Sequence, residues 1–281
     1  MPMPKLSVLV PVYNEDAHLE EIIRFLMSAP CPIEREWIFI DDGSNDKSLQ
    51  VLKRLSFSYG FKLVAQNPNQ GKGAAIVQGV KIATGDFIMI QDADFEYDPW
   101  DIPALIQPLI DDKADVVYGS RFKSTVWQVH RTYHYFVNRF LTLLSNLLSG
   151  IYLTDMETCY KIFRADLLKN MNLKSKRFGI EVELTAYLAK IRVRIFELPI
   201  SYFPRTKLHG KKINWKDGLA ALFHLVKFNW FVDEDQAFSG LPSHYLDMSI
   251  LRKGRALHLS KKEQSPIQQQ DQTLFQDPPR V

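Results

Sequence analysis

The stretch FIMIQDADFEYDP, residues 87–99, joins an apolar run to a cluster of four carboxylates. The apolar run predicts a buried strand, and the acids that follow repel one another, so a simple turn does not explain them. Side chains two residues apart in an extended chain point the same way, which lets Asp92, Asp94 and Glu96 face one ligand. Hard divalent cations take such oxygen ligands. The alternative is an Asx-type turn that ends the strand.

Composition and length narrow the class of protein. The chain has 281 residues, of which 46% are hydrophobic and 24% charged, as in a soluble globular protein with one large α/β domain or two small ones. Its net charge of +3 is too small to indicate nucleic-acid binding. Its two cysteines, Cys31 and Cys159, provide no disulfide framework and fit a reducing compartment. No signal peptide or membrane-spanning run is recognisable, so we expect a cytoplasmic protein with at most peripheral membrane contact.

Strand and helix patterns alternate along the first 120 residues. The predicted strands are 5–12, 36–41, 61–66, 86–91 and 114–119, and the predicted helices lie near 15–28, 46–57, 72–83 and 101–111. This alternation predicts a mostly parallel sheet with helices on both faces. The first four strands are followed by polar loops with the sequences PVYNE, DDGSND, NPNQGKG and DADFE. Ligands bind beyond the carboxyl ends of such strands, so these loops predict one composite site.

The second half of the chain has a different pattern. Apolar residues at helical spacing in 131–150 predict a core helix or a helix that lies on a membrane. The segments that follow are a strand at 159–164, a helix at 180–190, a β-rich run at 193–203 and an apolar helix at 216–231. From about residue 240 the chain becomes polar and rich in glutamine, which predicts a disordered tail.

Three further motifs have both a functional and an ordinary interpretation. In DDGS, Asp42 rather than Asp41 is expected to accept hydrogen bonds from a ribose or base, unless the motif only forms a turn and a helix cap. In NQGKGAA, Lys72 is placed near a diphosphate, unless the glycines only start a helix. The basic run 204–216 is a solvated loop, a phosphate clamp or a contact for anionic lipid. Neither a P-loop nor a G-x-G-x-x-G motif is present, which argues against a kinase-like NTPase and a dinucleotide-binding enzyme.

Taken together, these motifs resemble family 2 glycosyltransferases with the GT-A fold, and within them the dolichyl-phosphate mannose synthase-like branch. The resemblance extends over about residues 5–230, through VPVYNE, DDGSND, NQGKGAA, GDFIMIQDAD, ADVVYGSRF, DMETCYKIFR, GIEVELTAYLAK and RTKLHGKKINWKDGLAAL. It implies an α/β, Rossmann-like, mostly parallel sheet sandwiched by helices, with amphipathic helices in the C-terminal half. The domain would cover residues 1–235, with a nucleotide-sugar-binding half at 1–120, an acceptor-binding half at 121–235, and a tail at 236–281.

The resemblance also implies roles for individual residues. Pro11, Tyr13, Glu15 and Asp42 would bind the nucleotide, and Asp92, Asp94 and Glu96 would hold Mg²⁺ or Mn²⁺ on the donor diphosphate. Asp94, Arg121 and Arg131 would take part in catalysis, the two arginines by gripping the acceptor phosphate. Arg205 and Lys211 would close over the diphosphate. Glu96 stands where mannose synthases often carry Gln, and His209 stands where bacterial relatives often carry Glu.

The expected reaction is inverting transfer of a sugar from a UDP- or GDP-linked donor to a polyprenyl phosphate at a membrane surface. A phosphate acceptor is mostly dianionic near pH 7 and attacks without a strong base. A sugar-hydroxyl acceptor would need a base, for which Asp155, Glu157 and Glu181 are candidates. The motifs are also compatible with a nucleotidyltransferase or with a non-catalytic nucleotide-sugar-binding protein. The sequence leaves the donor base, the sugar and a homo-oligomeric state open.

Overall fold

The strands form one mixed sheet. The computed structural model describes residues 3–123, 132–177, 179–204 and 215–246, and within these residues there are seven strands. They are β1 (Lys5–Val12), β2 (Glu34–Asp42), β3 (Lys62–Gln66), β4 (Phe87–Ile90), β5 (Val116–Ser120), β6 (Lys161–Arg164) and β7 (Ile195–Pro199). Their order in the sheet is β3-β2-β1-β4-β6-β5-β7. Strand β6 runs antiparallel to both of its neighbours, and the other pairs are parallel.

Helices connect the strands and cover the sheet. They are α1 (Leu19–Ser28), α2 (Ser48–Tyr59), α3 (Lys72–Ile82), α4 (Ile102–Ile110), α5 (Thr132–Ser149), α6 (Ala165–Lys169), α7 (Ile180–Leu188), α8 (Trp215–Trp230) and α9 (Glu234–Ala237). Short 3₁₀ turns lie at Pro99–Asp101 and Ser243–Tyr245. Among the described helices, none is long and apolar enough to cross a membrane.

The apolar runs of the central strands explain the layered architecture. Strands β1 and β4 are buried along most of their length because helices cover both faces of the sheet. Helix α7 is buried on all sides, packed against α5 and α8. The predicted α/β fold with a mostly parallel sheet is confirmed. Because β6 and β7 come from the second half of the chain, the two predicted halves share one sheet.

The C-terminal boundary differs from the predicted one. Residues 236–246 belong to the packed structure, although the tail was predicted to begin at residue 236. Phe238 pairs with Met171 in a β-bridge, and the buried Tyr245 donates a hydrogen bond to Asp166 Oδ1 at 3.1 Å. Three apolar side chains in this short segment (Ala237, Phe238 and Tyr245) are buried, which outweighs its polar composition. Residues 247–281 lie outside the described part of the chain.

Candidate active site

The first two polar loops meet at the carboxyl edge of the sheet. The backbone N–H of Asn14 donates to Ser44 Oγ at 3.1 Å, and that of Glu15 donates to Ser48 Oγ at 2.9 Å. In the other direction, the Asn45 N–H donates to Asn14 Oδ1 at 2.8 Å. The loops after β1 and β2 are therefore held together side by side, as a composite site requires.

Three predicted nucleotide ligands belong to this region. Pro11 lies within β1 beside Ile40 of β2, and Tyr13 is partly buried just beyond the end of β1. The Glu15 carbonyl accepts the Leu19 N–H at 3.0 Å and so helps to start α1. These contacts fix the backbone of the loop, and nucleotide binding by the three side chains stays a prediction.

Asp42 joins the second loop to the third. Its Oδ1 accepts hydrogen bonds from Gln70 N (2.8 Å) and Gln66 Nε2 (3.2 Å), and its Oδ2 accepts from Gly71 N (2.7 Å) and Asn69 Nδ2 (2.8 Å). Four donors fill the acceptor sites of a carboxylate. Asp42 was predicted to face the nucleotide, but in this structure its carboxylate faces the loop after β3.

Asp41 has the property that was expected of Asp42. It is 1% exposed, and its Oδ2 accepts the Ser44 N–H at 3.2 Å, whereas its Oδ1 has no hydrogen-bond partner among the described residues. A buried acceptor without a donor is costly, so this oxygen is suited to an N–H or O–H of a ligand. The sequence argument passed over Asp41 because it was placed inside the strand. Its orphaned oxygen is visible only in three dimensions.

Close backbone approach explains the glycines of the third loop. A Cβ on Gly71, whose φ is +98°, would lie 2.3 Å from the Lys176 carbonyl oxygen. A Cβ on Gly73 would lie 2.1 Å from the Ser175 carbonyl oxygen. The loop and the start of α3 therefore pack directly on residues 175–177, which supports the helix-start interpretation of NQGKGAA.

Lys72 bridges two carboxylates at the start of α3. Its Nζ lies 2.8 Å from Asp92 Oδ1 and 3.0 Å from Glu181 Oε1. Burial by itself lowers the pKa of Lys72, but the adjacent carboxylates outweigh burial and raise the pKa well above its ordinary value. The structure thus brings Lys72 to the predicted metal site, through contact with Asp92. A direct contact with the diphosphate stays a prediction.

The carboxylates after β4 contact different partners. The chain bends after Gln91, and Asp94 Oδ1 accepts the Glu96 N–H at 2.9 Å, which is the Asx-type turn considered as the alternative. Glu96 Oε2 accepts a hydrogen bond from the Tyr202 hydroxyl at 2.8 Å. Among the described residues, no group of three or more His, Cys, Asp or Glu side chains is arranged to hold a metal ion. The prediction assumed an extended chain, whereas the chain bends here, and metal binding by all three carboxylates together stays a prediction.

Two carboxylates still fit a divalent ion. Asp92 and Asp94 provide hard oxygen donors at a strand end, and Mg²⁺ typically takes one or two protein carboxylates and completes its shell with substrate phosphates and water. Glu96 instead supports the bridge between Tyr97 and Tyr202, where its carbonyl accepts the Phe203 N–H at 2.8 Å. Metal binding by these residues stays a prediction, with Asp92 and Asp94 as the better candidates.

Arg121 is held against a buried acid just past β5. Its Nε and Nη2 donate to the two oxygens of Asp155, each at 2.7 Å, and its guanidinium lies over the ring of Tyr202. Asp155 is fully buried, and its own N–H donates to Glu197 Oε1 at 3.0 Å. This bidentate pair orients Arg121 and makes Asp155 a poor candidate for a general base. Arg131, Arg205 and Lys211 lie outside the described residues.

The pKa of Glu157 is raised, as expected of a general base that acts near neutral pH. Burial, together with the nearby Glu181 carboxylate, raises the pKa of Glu157 to about 7. Its Oε1 is buried without a hydrogen-bond partner among the described residues. Among the three acids that the sequence offered as candidate bases, Glu157 is the one whose chemistry fits that role.

A family assignment follows from comparison with known proteins. The profile of the family described as "Glycosyl transferase family 2" matches residues 7–171, which is more than half of the chain. The chain belongs to glycosyl transferase family 2. It is therefore a glycosyltransferase, the class of enzyme predicted from its motifs, and the matched region contains all four polar loops of the site.

Curated relatives of this glycosyltransferase include two lipid-phosphate enzymes. A dolichol-phosphate mannosyltransferase of Pyrococcus furiosus is 27% identical over 246 residues, which cover 84% of this chain and 67% of the relative. A dodecaprenyl-phosphate galacturonate synthase of Rhizobium johnstonii is 25% identical over 251 residues, which cover 86% of this chain and 70% of the relative.

Solved structures show the fold of the glycosyltransferase. Glucosyl-3-phosphoglycerate synthase from Mycobacterium tuberculosis, in complex with Mn²⁺, UDP and glucosyl-3-phosphoglycerate, superposes with a TM-score of 0.61 at 17% identity, covering 80% of each chain. The same enzyme with Mn²⁺, UDP-glucose and glycerol 3-phosphate has a TM-score of 0.60 at 18% identity. The likeness establishes the GT-A fold.

Proposed function

We propose that this glycosyltransferase moves a sugar from a UDP- or GDP-linked donor to a polyprenyl phosphate, with inversion at the anomeric carbon. The observation that carries the proposal is an exposed apolar surface on two adjacent helices beside the site. A lipid-linked acceptor stays in the bilayer, so its enzyme needs such a surface. Sequence similarity to two enzymes named for lipid phosphates, over most of this chain, supports the same acceptor.

The surface, here called the apolar stripe, has the same spacing on both helices. Its large exposed side chains follow one another at intervals of four, three and four residues: Phe136, Phe140, Leu143 and Leu147 on α5, and Leu219, Phe223, Val226 and Trp230 on α8. Helices α5 and α8 pack against each other, and each carries one of the two rows. Other apolar residues of α5, among them Leu141 and Leu144, pack on the core. Helix α5 therefore has a core face and an exposed apolar face.

The bilayer is the occupant that we propose for the apolar stripe. Trp230 ends α8 and Phe231 follows it, both exposed, and aromatic side chains favour the membrane–water interface. The basic run 204–216 precedes and enters α8 in the sequence, which suits anionic headgroups next to the apolar residues. On α5, Arg139 adjoins Phe140 in the sequence and donates to the Thr154 carbonyl at 3.2 Å, next to the Arg121–Asp155 pair. The α5 row of the stripe is thus connected to the candidate site.

The described residues suit the chemistry of this transfer. The acceptor phosphate oxygen forms a bond to the anomeric carbon as the bond from that carbon to the diphosphate oxygen breaks, and the nucleoside diphosphate leaves. In this proposal Arg121, oriented by Asp155, attracts the acceptor phosphate, and Asp41 Oδ1 accepts a hydrogen bond from the nucleoside. A divalent ion held by Asp92 and Asp94 would stabilise the charge on the leaving diphosphate.

A donor panel tests the proposal. Wild type and Asp94→Ala are incubated with UDP- and GDP-sugars, Mn²⁺ or Mg²⁺, and a short-chain polyprenyl phosphate. We expect release of UDP or GDP that requires both the metal and the lipid phosphate and is lost in the variant. Release of the nucleotide that does not depend on the lipid phosphate would contradict the proposed acceptor. Absence of release with every donor would contradict the proposed reaction.

One observation favours a second candidate, transfer to a sugar hydroxyl. The raised pKa of Glu157 suits a general base, which a hydroxyl acceptor needs and a phosphate dianion does not. Under this alternative, Glu157→Gln abolishes transfer while donor binding survives. Under the phosphate-acceptor proposal no base is needed, so the same variant keeps measurable transfer to the polyprenyl phosphate when the donor is saturating.

A further inference from the structure

Two buried carboxylate oxygens lie near the proposed donor site without a hydrogen-bond partner among the described residues. They are Glu157 Oε1 and Glu181 Oε2. Native proteins rarely bury acceptors in this way unless a ligand or water supplies the donor. The two carboxylates are close enough to influence each other electrostatically. Two unpartnered acceptor oxygens in the same part of the site favour a ligand with several hydrogen-bond donors.

Glu181 is connected directly to the loop after β4. It lies in the first turn of α7, and its Oε1 is 3.0 Å from Lys72 Nζ, which is 2.8 Å from Asp92 Oδ1. One ammonium group therefore separates Glu181 from the carboxylate proposed to hold the metal on the donor diphosphate. The sugar of a donor is attached to the distal phosphate, so a diphosphate held at Asp92 would bring its sugar towards this part of the site.

Glu157 is held rigidly from both sides. The Lys161 ammonium donates hydrogen bonds to the carbonyl oxygens of Met156 (3.0 Å) and Thr158, the two residues that flank Glu157. Two residues earlier, Asp155 is clamped by Arg121. A backbone fixed at these points presents the Glu157 carboxylate in one place, as a specificity-determining group requires.

We propose that Glu157 and Glu181 form an acidic pair that selects an uncharged donor sugar, by accepting hydrogen bonds from its hydroxyls and repelling a sugar carboxylate. The inference rests on the proposed function, because it assumes a nucleotide-sugar donor bound beside Asp92. Ionised carboxylates only accept hydrogen bonds, and hydroxyls donate them. A uronate sugar of the same shape would bring a like charge, which discriminates strongly between otherwise similar ligands.

The described cations near the pair are already engaged. Lys72 contacts Asp92 and Glu181, Arg121 contacts Asp155, and Lys161 faces carbonyl oxygens. Burial lowers the pKa of Lys161, although nearby acids oppose this effect, and a lysine with a lowered pKa is a weaker counter-ion. In this neighbourhood a uronate carboxylate would therefore meet the acidic pair without an uncommitted partner among these three cations.

Matched donors test the acidic pair. UDP-glucose and UDP-glucuronate differ only at C6, and GDP-mannose and GDP-mannuronate form the second pair. Binding of each donor with Mn²⁺ is measured by isothermal titration calorimetry at pH 8.0, where the Glu157 carboxyl is mostly ionised. The proteins are wild type, Glu157→Gln, Glu181→Gln and Glu34→Gln. Glu34 is the matched control, because it is an exposed acid at the start of β2, at the opposite edge of the sheet.

For the nucleotide that the enzyme accepts, we expect wild type to bind the uncharged donor at least about tenfold more tightly than its uronate partner. This ratio should fall towards one in Glu157→Gln and persist in Glu34→Gln. Equal or tighter binding of the uronate by wild type overturns the inference, as does a ratio that neither Glu157→Gln nor Glu181→Gln changes. Bare UDP and GDP are measured in parallel. If neither binds, the proposed function fails as well, whereas binding of the bare nucleotide without sugar discrimination overturns only the acidic pair.

Discussion

At the scale of single residues, two neighbouring acids in DDGS have opposite environments. The carboxylate of Asp42 accepts three hydrogen bonds from the third loop and one from Gln66 at the end of β3, whereas Asp41 keeps one buried oxygen without a partner among the described residues. Adjacent residues at a strand end point to opposite sides, so only one of them turns towards the third loop. Asp42 is therefore expected to stabilise the site, and Asp41 is the better candidate for contact with the nucleotide.

Asp42→Asn is expected to destabilise the fold by about 2 kcal/mol, because an amide replaces an acceptor oxygen with a donor that faces N–H groups. Urea unfolding measures this loss, with Asp111→Asn, a substitution of an acid paired with Lys113 at the surface, as the control. Unchanged stability combined with loss of nucleotide binding would show instead that Asp42 contacts the nucleotide.

At the scale of elements, α5 and α8 each present two apolar faces. One face packs on α7 and the core, and the other forms the apolar stripe. The periodicity of 131–150 could not separate a core helix from a membrane-lying one, because residues of both faces are apolar. Packing decided which residues stay exposed: one face of α5 packs on the core, and membrane contact by the other face stays a prediction.

The double substitution Phe140→Gln and Phe223→Gln is expected to reduce retention on anionic vesicles by roughly tenfold or more, since each exposed ring buries apolar area in the interface. Vesicle flotation at low salt measures this. The control is Phe57→Gln, which removes a ring that is 91% exposed on α2, away from the stripe. Equal retention of the double variant and wild type would exclude the stripe as the membrane contact.

At the scale of the whole molecule, the two edges of the sheet have different tasks. The carboxyl edge gathers the polar loops of the site, and the opposite edge carries an ion network. In that network the buried Asp115, just before β5, accepts hydrogen bonds from Arg194 Nη2 (2.7 Å) and Arg164 Nε (3.2 Å). The network joins the chain segments around β5, β6 and β7. Arg164 ends β6 at this edge of the sheet because β6 runs antiparallel to β5.

Asp115→Asn is expected to cost about 2 kcal/mol near pH 7, because it leaves two guanidinium groups without their shared anion. Burial alone would raise the pKa of Asp115, but the hydrogen bonds from Arg194 outweigh it and lower the pKa. The contribution of this carboxylate is therefore present above the unfolded pKa of about 4 and is lost as the pH falls through the folded pKa.

Chemical unfolding at pH 7 and pH 3 measures the difference between wild type and Asp115→Asn. The difference should shrink at the lower pH. A difference that is the same at both pH values would mean that packing, rather than the charge of Asp115, holds this edge of the sheet.

The sequence by itself determined the α/β class, the order of the elements and the family. Alternating apolar strands and helical patterns depend on local periodicity, and the four polar loops follow because parallel strands end at one edge. Only the tertiary structure decided the partners of each acid. The chain bends after Gln91, and the Asp42 carboxylate faces the loop after β3. Lys72 connects Asp92 to Glu181. Glu157 and Glu181 each keep a buried oxygen without a partner among the described residues. Apart from the turn at Asp94, these contacts join residues far apart in the chain, and local periodicity contains no information about such distances.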